Sequence, residues 1–364
     1  MPDNEQKSYP SQYEKVKAIT DQLEAGIQEL FNSDKFKTYL TTLSKFHDYS
    51  LNNTLLIAMQ KPDATLVAGY TAWQKQFGRQ VQKGQTGIKI LAPTPYKKKV
   101  EVDKTDPVTG EILTNPDGSS KKETQEIMMP AFKVVSVFDV SQTDGRPLPS
   151  LGVNELTGEV AQYEIFFEAL KRSCPVPMEF EQIDGGAKGY FHTVENRIAI
   201  QEDMSQVQTV KTAVHEMTHQ RLHSIDPMAK DPNEPKLTRN SKEVEAEAVA
   251  FTVCQHYGIE TSDYSFAYIA GWSKGKETPE LKASLDKIRK TASEMITTID
   301  SHMQEIRRER GIADPVIPAP LAEISPELDK KNSVLDALHT KKEPKTKKTK
   351  VAAKAAHKKK EETR

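Results

Sequence analysis

Val214-His215-Glu216-Met217-Thr218-His219 is the stretch on which the reading of this chain turns. Two histidines four residues apart fall on one face of a helix, where both imidazoles can reach a single metal ion. The glutamate after the first histidine stands where it can take a proton from a water activated by zinc. The flanks predict a helix. Ser205, followed three residues later by Gln208, reads as a capping box, and Val207, Val210, Val214 and Met217 recur at helical spacing as a buried stripe.

A catalytic zinc needs three protein ligands and an open position. The metzincin arrangement is excluded, because Leu222 stands where that pattern needs glycine and Ile225 where it needs a third histidine. The third ligand must come from further along, and the segment from Ser241 to Cys254 offers it. On a helix, Glu243 and Glu247 share one side with Ala246, Ala250 and Cys254, while Glu245 points nearly the opposite way. Small residues carrying two carboxylates fit close helix packing around a cation, since buried carboxylates are costly unless paired or metal-bound. This makes Glu243 the third ligand and Glu247 a group that orients a histidine. A second reading stands beside it, in which Asn240 and Glu243 form a capping box and Glu243 stays at the surface.

At 364 residues the chain can hold two ordinary domains plus tails, and 36% hydrophobic content points to some unfolded length. Two cysteines, Cys174 and Cys254, make no disulfide framework and fit a reducing compartment. No apolar signal core opens the chain and no apolar run is long enough for a bilayer, so the expectation is a cytoplasmic protein with no membrane partner. The net charge of −1 hides an asymmetry: residues 341–364 carry eleven basic and three acidic side chains, so the rest is acidic. Such a tail reads either as a solubilising terminus or as a tether for polyanions.

Val16, Ile19, Leu23, Ile27 and Leu30 predict a first helix, broken at Asn32-Ser33-Asp34 before Phe36, Leu40 and Leu43 start another. Leu51, Leu55, Leu56 and Met59 predict a third, ended by Pro62. His47 reads as a core-edge or solvated histidine. Ile88 and Ile90 alternate with Lys89 as a strand. Arg79, Lys83 and Lys89 lie near Trp73, and cations beside an aromatic plane suit single-stranded DNA, although Trp73 as core and the lysines as a solvated strand face fit the same residues. Lys97 to Glu126 reads as a long hairpin or loop turning at Asn115-Pro-Asp-Gly118. Further on, helix from Val160 to Leu170, strands at Met178–Ile183 and Arg197–Ile200, and a helix from Thr278 to Arg308 complete an α+β pattern.

Several motifs resemble the N-terminal single-stranded-DNA-binding domain of ArdC-type antirestriction proteins. They are Tyr49-Ser-x-Asn-Asn53, Leu55-Leu-Ile-Ala58, Val67-Ala-Gly-Tyr-x-Ala-Trp73, Gly78-Arg-Gln-Val-x-Lys-Gly84, Gly87-Ile-x-Ile-Leu-Ala-Pro93 and the run from Phe132 to Thr143. The second half resembles the zincin-like metallopeptidase domain that follows in ArdC-type and LtrC-like conjugation proteins, and is more distantly similar to ImmA/IrrE metallopeptidases. Glu243-x-x-Ala246-Glu247 fits their second metal-binding helix, although Glu247 stands where those relatives often carry Asn or Asp. The resemblance implies three parts: residues 1–145 bind DNA with an insertion at 97–126, residues 146–310 are the zincin-like domain, and residues 311–364 are a disordered basic tail.

The leading expectation is therefore a mobile-element protein that binds single-stranded DNA and carries a gluzincin-like zinc metallopeptidase, protecting incoming DNA during conjugation. His215, His219 and Glu243 would hold Zn2+, Glu216 would be the general base, and a peptide or protein would be the substrate. Two alternatives remain open: a DNA-coating module with a structural or vestigial metal site, and a peptidase that cleaves a DNA-bound regulator.

Overall fold

Ser11 opens the first helix, α1 (Gln12–Glu29), through a reciprocal cap with Glu14. The computed structural model describes residues 10–30, 33–107, 109–148, 160–224, 238–259, 266, 269–273 and 276–312. The expected basic tail lies outside them, apart from residues 311 and 312. In α1 the predicted positions Ile19, Leu23, Ile27 and Leu30 are buried. They meet Phe36, Leu40 and Leu43 of α2 (Ser33–Lys45) and Leu51, Leu55 and Leu56 of α3 (Leu51–Gln60), whose N-cap is Ser50. Met59, placed on the buried face by its spacing, is 42% exposed. His47 takes the core-edge role: its ring packs edge-on against His256 at 4.9 Å, and burial, reinforced by His256, holds its pKa down to about 4.

A strand β1 (Val67–Gly69), a short helix α4 (Tyr70–Lys75) and β2 (Arg79–Val81) lead to β3 (Ile88–Pro93). The insertion is an arm of two antiparallel strands, β4 (Tyr96–Asp103) and β5 (Lys122–Met129), with Gly118 in the left-handed region at its turn. β6 (Phe132–Asp139) is the centre of a three-stranded antiparallel sheet, with β1 on one side and β3 on the other, and β7 (Thr143–Gly145) pairs with β2.

Two devices finish this sheet. β3 has a free edge, and side chains of α3 occupy it. The Asn53 amide donates to the Leu91 carbonyl at 3.0 Å and accepts from the Leu91 N–H at 2.9 Å. Gln60 treats Lys89 in the same way, at 2.9 Å for both bonds. These amides stand in for a missing strand and leave the edge unable to pair with another chain at those residues. At the end of β6, Asp139 is 1% exposed. It accepts from the N–H groups of Thr65, Leu66 and Ser141 and from the Ser141 hydroxyl, at 2.6 to 3.1 Å.

The second half begins with α5 (Val160–Ser173), followed by β8 (Met178–Glu181), β9 (Gly189–His192) and β10 (Arg197–Gln201). β10 is central, parallel to β8 and antiparallel to β9, so β9 is an edge strand. Among the described residues four helices follow: α6 (Gln206–His223), α7 (Arg239–His256), α8 (Ile269–Ser273) and α9 (Thr278–Glu309). Leu281, Leu285, Ile288, Ala292, Met295 and Ile299 line the buried face of α9, as their spacing predicts. Val210, Val214 and Met217 are buried in α6, but Val207 is 40% exposed. Ser205 caps α6 through the Gln208 N–H, and the Gln208 side chain turns to Lys188 and Thr212 instead of closing a capping box.

The largest apolar cluster does not stop at residue 145. It runs from Ile27, Leu40 and Leu55 through Phe166 and Met217 to Phe251 and Ile296. The helices of the first part and those of the second therefore share one core. Fold class is α+β.

Asp139 offers a direct check on the first part. Burial alone would raise its pKa, but hydrogen bonds from Ser141, Thr65 and Leu66 outweigh it and hold the carboxyl below its ordinary value. The associated stability is present above the unfolded-state value of about 3.9 and is lost as pH falls through the lower folded value. Asp139→Ala is expected to cost about 2–3 kcal/mol in urea unfolding at pH 7 and to flatten the loss of stability below about pH 4. An unchanged midpoint and pH profile would remove this cluster from the account.

Candidate metal centre

α6 and α7 lie against each other and bring three donor atoms to one point. His215 Nε2 and His219 Nε2 stand 3.0 Å apart, because their four-residue spacing stacks them on one helical face. Glu243 Oε2 lies 3.5 Å from the first and 3.6 Å from the second. For metal–ligand bonds of about 2.0–2.1 Å in a tetrahedron, neighbouring donors stand roughly 3.3 Å apart. The three atoms fit one small divalent ion with a fourth position to spare. The capping box of Asn240 and Glu243 does not form: Thr238 caps α7 through the Ser241 N–H, and Glu243, its side chain 45% exposed, lies within the helix and faces the histidines.

Electrostatics agree with the geometry. His215 and His219 hold the Glu243 carboxyl well below its ordinary range. Burial pulls His215 down, but Glu243, Glu216 and Glu247 outweigh it and its pKa is raised. Glu216 is 8% exposed, and burial raises its pKa against the pull of the two histidines. The Phe191 backbone N–H donates to it. Glu216 is therefore fixed next to the donor set without being part of it.

β9 forms the roof. A cleft of about 910 Å³ opens between β9 and the two helices, lined by Gly189, Tyr190, His215, Glu216, Glu243 and Glu247 among others. Gly189 permits the close approach: a Cβ there would come within 2.5 Å of Thr212 Cγ2 and 2.9 Å of the Ala199 carbonyl oxygen. Tyr190 donates its hydroxyl to Glu181 at 2.5 Å, and His192 Nδ1 accepts from the Glu195 N–H, so each is engaged within the sheet.

Glu247 lines the cleft one turn beyond Glu243, and its charge acts on His215. The hydrogen-bonded position behind His219 belongs to other residues: His223, and beyond it Glu245, which is 1% exposed. Spacing could have found His223, since it repeats the four-residue step from His219. Glu245 was passed over because it leaves α7 on the side away from Glu243, which here is the interior between α6 and α9.

The DNA-contact expectations need correction. Trp73 is fully buried, its indole N–H donates to the Phe138 carbonyl at 2.8 Å, and it packs on Phe77, so no base can stack on it. The Arg79 guanidinium bonds the Thr143 hydroxyl and the carbonyls of Thr143 and Arg146, joining β2 to β7. Lys83 and Lys89 are exposed, with Lys89 donating to Ser136 at 2.6 Å. Trp73 and Arg79, the planar groups among the four, hold the fold, and Lys83 and Lys89 remain at the surface.

Residues 11–138 match the family model described as the N-terminal domain of anti-restriction factor ArdC. The resemblance carried by the motifs of that stretch is thereby shown. An uncharacterized protein of Bacillus anthracis is 28% identical over 327 residues, which is 82% of this chain and 53% of the relative. The chain thus spans about half the length of the curated relative it matches. Among solved structures, the antirestriction ArdC protein from the R388 plasmid is similar in two forms. The metal-free form has a TM-score of 0.40 and 21% identity, covering 73% of this chain and 87% of that one. The Mn(II)-bound form has a TM-score of 0.43 and 19% identity, covering 79% and 96%.

If the three donors form the centre, the full chain binds one zinc ion, and His215→Ala or Glu243→Ala weakens binding by about two orders of magnitude or more, each ligand supplying a few of the about 10–16 kcal/mol of such a site. Chelator competition measures this. Wild-type affinity in both variants would place the ion elsewhere.

Proposed function

We propose that this chain is an ArdC-type antirestriction protein in which a single-stranded-DNA-binding domain is joined to a zincin-like zinc metallopeptidase. The observation that carries the enzymatic half is the convergence of His215, His219 and Glu243 beneath an edge strand, with Glu216 held beside them. A zinc ion bound by these three residues would supply Lewis acidity, lowering the pKa of a water and polarising a carbonyl.

The chain's own groups supply the remainder. The edge of β9 away from β10, where the Phe191 N–H already serves Glu216, offers its remaining backbone groups to an extended peptide, which fixes the scissile bond relative to Glu216. Glu216 takes a proton from the attacking water at its carboxylate and returns it to the leaving amine, and the raised pKa that burial gives it suits both steps. Lys188, Arg239 and Lys242 line the same cleft as Glu216, Glu243 and Glu247, and offer cations to acidic side chains of a peptide. Glu247 would orient a histidine from the cleft side.

For the DNA half, the support is the family match over residues 11–138. Antirestriction is the activity named for ArdC, and a strand coated by protein is a poor substrate for a nuclease. Exposed Lys83 and Lys89 are the cations we assign to phosphates. Cys174 and Cys254 form no disulfide, which fits a reducing cytoplasm, and no described helix is long and apolar enough to cross a membrane.

Glu216→Gln is expected to keep zinc and to lose peptide hydrolysis by about 10²–10⁴-fold. Undiminished hydrolysis in that variant rejects the assignment. If the same variant shields single-stranded DNA as well as wild type does, hydrolysis is separable from protection. Binding to single strands should weaken steeply with salt, and Lys83→Ala or Lys89→Ala should each lower the slope of log K against log salt by about 0.7. Salt-insensitive duplex binding would contradict the DNA assignment.

A further inference from the structure

The two ring nitrogens of His219 face different neighbours. Nε2 faces His215 and Glu243. Nδ1 lies 2.9 Å from Nδ1 of His223, one helical turn along α6. His223 Nε2 in turn lies 3.1 Å from Oε2 of Glu245 on α7, and Oε1 of Glu245 accepts from the Ser284 hydroxyl on α9. The His223 side chain is 4% exposed and that of Glu245 1%, so both are buried behind the cleft that His219 and His223 line.

Its polarity is set from the far end. A carboxylate only accepts, so the hydrogen between Glu245 and His223 sits on His223 Nε2. With His223 neutral, its imidazole carries one hydrogen, which leaves Nδ1 of His223 an acceptor. The hydrogen between the two rings then sits on His219 Nδ1, and His219 Nε2 is left with a bare lone pair directed at the shared point. A free imidazole side chain favours the opposite tautomer, with its hydrogen on Nε2. We propose that His223 and Glu245 are positioning residues that hold His219 in its metal-receptive tautomer before any ion arrives, an inference that rests on His219 being a metal ligand.

A purely structural role, tying α6, α7 and α9 together, does not account for the choice of residues. Apolar side chains would join three helices without the desolvation cost of a buried carboxylate. An acceptor oxygen at position 245, which an apolar side chain cannot supply, dictates the tautomer through the intervening ring. Outer-shell partners of this kind orient ligating histidines and raise their basicity.

Long-range proton–nitrogen NMR on the metal-free, histidine-labelled full chain reads the tautomers directly. The expected result is His219 protonated at Nδ1 and His223 at Nε2. Glu245→Leu should return His219 toward the Nε2-protonated form and weaken binding of zinc alone by about 10–100-fold. Glu245→Gln, whose amide oxygen still accepts from His223, should keep the wild-type tautomer and most of the affinity. His219 carrying its hydrogen on Nε2 in the wild-type protein overturns the proposal, whether or not Glu245→Leu folds. So does a folded Glu245→Leu variant with unchanged tautomer and affinity. Failure of the underlying reading looks different, because zinc binding would then be indifferent to His215→Ala.

Discussion

Two imidazole nitrogens and a carboxylate oxygen facing one another at 3.0 to 3.6 Å must share a ring N–H hydrogen or a cation. With both Nε2 lone pairs bare, the rings repel at that distance, and only a proton or a cation relieves it. Much of the second half of the chain is arranged around this requirement. The helical period of α6 stacks the two rings, and α7 supplies the carboxylate from a face of small residues. The roof strand can descend onto Thr212 because position 189 has no side chain. Burial then separates Glu243, held ionised by its neighbours, from Glu216, whose proton affinity is increased.

The centre is also tied to the first part of the chain. α7 carries Glu243 near its start, and at its end His256 lies 2.8 Å from the Ser44 carbonyl of α2 while stacking edge-on with His47. Arg289 of α9 reaches the Tyr49 carbonyl just before α3. With one apolar cluster running through all of these helices, the sheet that bears the ArdC-like motifs and the candidate metal centre rest on a common scaffold. A motion of one relative to the other would have to open that core, which is costly in a close-packed interior.

What could be read from the sequence was whatever depends on local period. The apolar stripes of α1, α2 and α9, the hairpin turn at Gly118 and the paired histidines are all set by neighbours a few residues apart. What escaped depends on contacts across the chain. Asn53 belongs to a motif recognisable in the sequence, but its task, closing the edge of β3 at Leu91, shows only once the strand lies beside α3. Trp73 and Arg79 read as nucleic-acid contacts by residue type, whereas tertiary packing uses the first as core and the second as a clasp between strands. Glu245 was invisible for a similar reason. The side of a helix opposite a ligand reads as solvent until a third helix is found there.

The account stands or falls on where a divalent ion sits. Anomalous diffraction from crystals of the full chain, grown with zinc and measured above and below the zinc edge, locates that ion directly. The structure predicts one dominant peak within bonding distance of His215 Nε2, His219 Nε2 and a Glu243 oxygen, with Glu216 close by but not bonded to it. A peak elsewhere, or a zinc ion held by the histidines while Glu243 faces solvent, would contradict it.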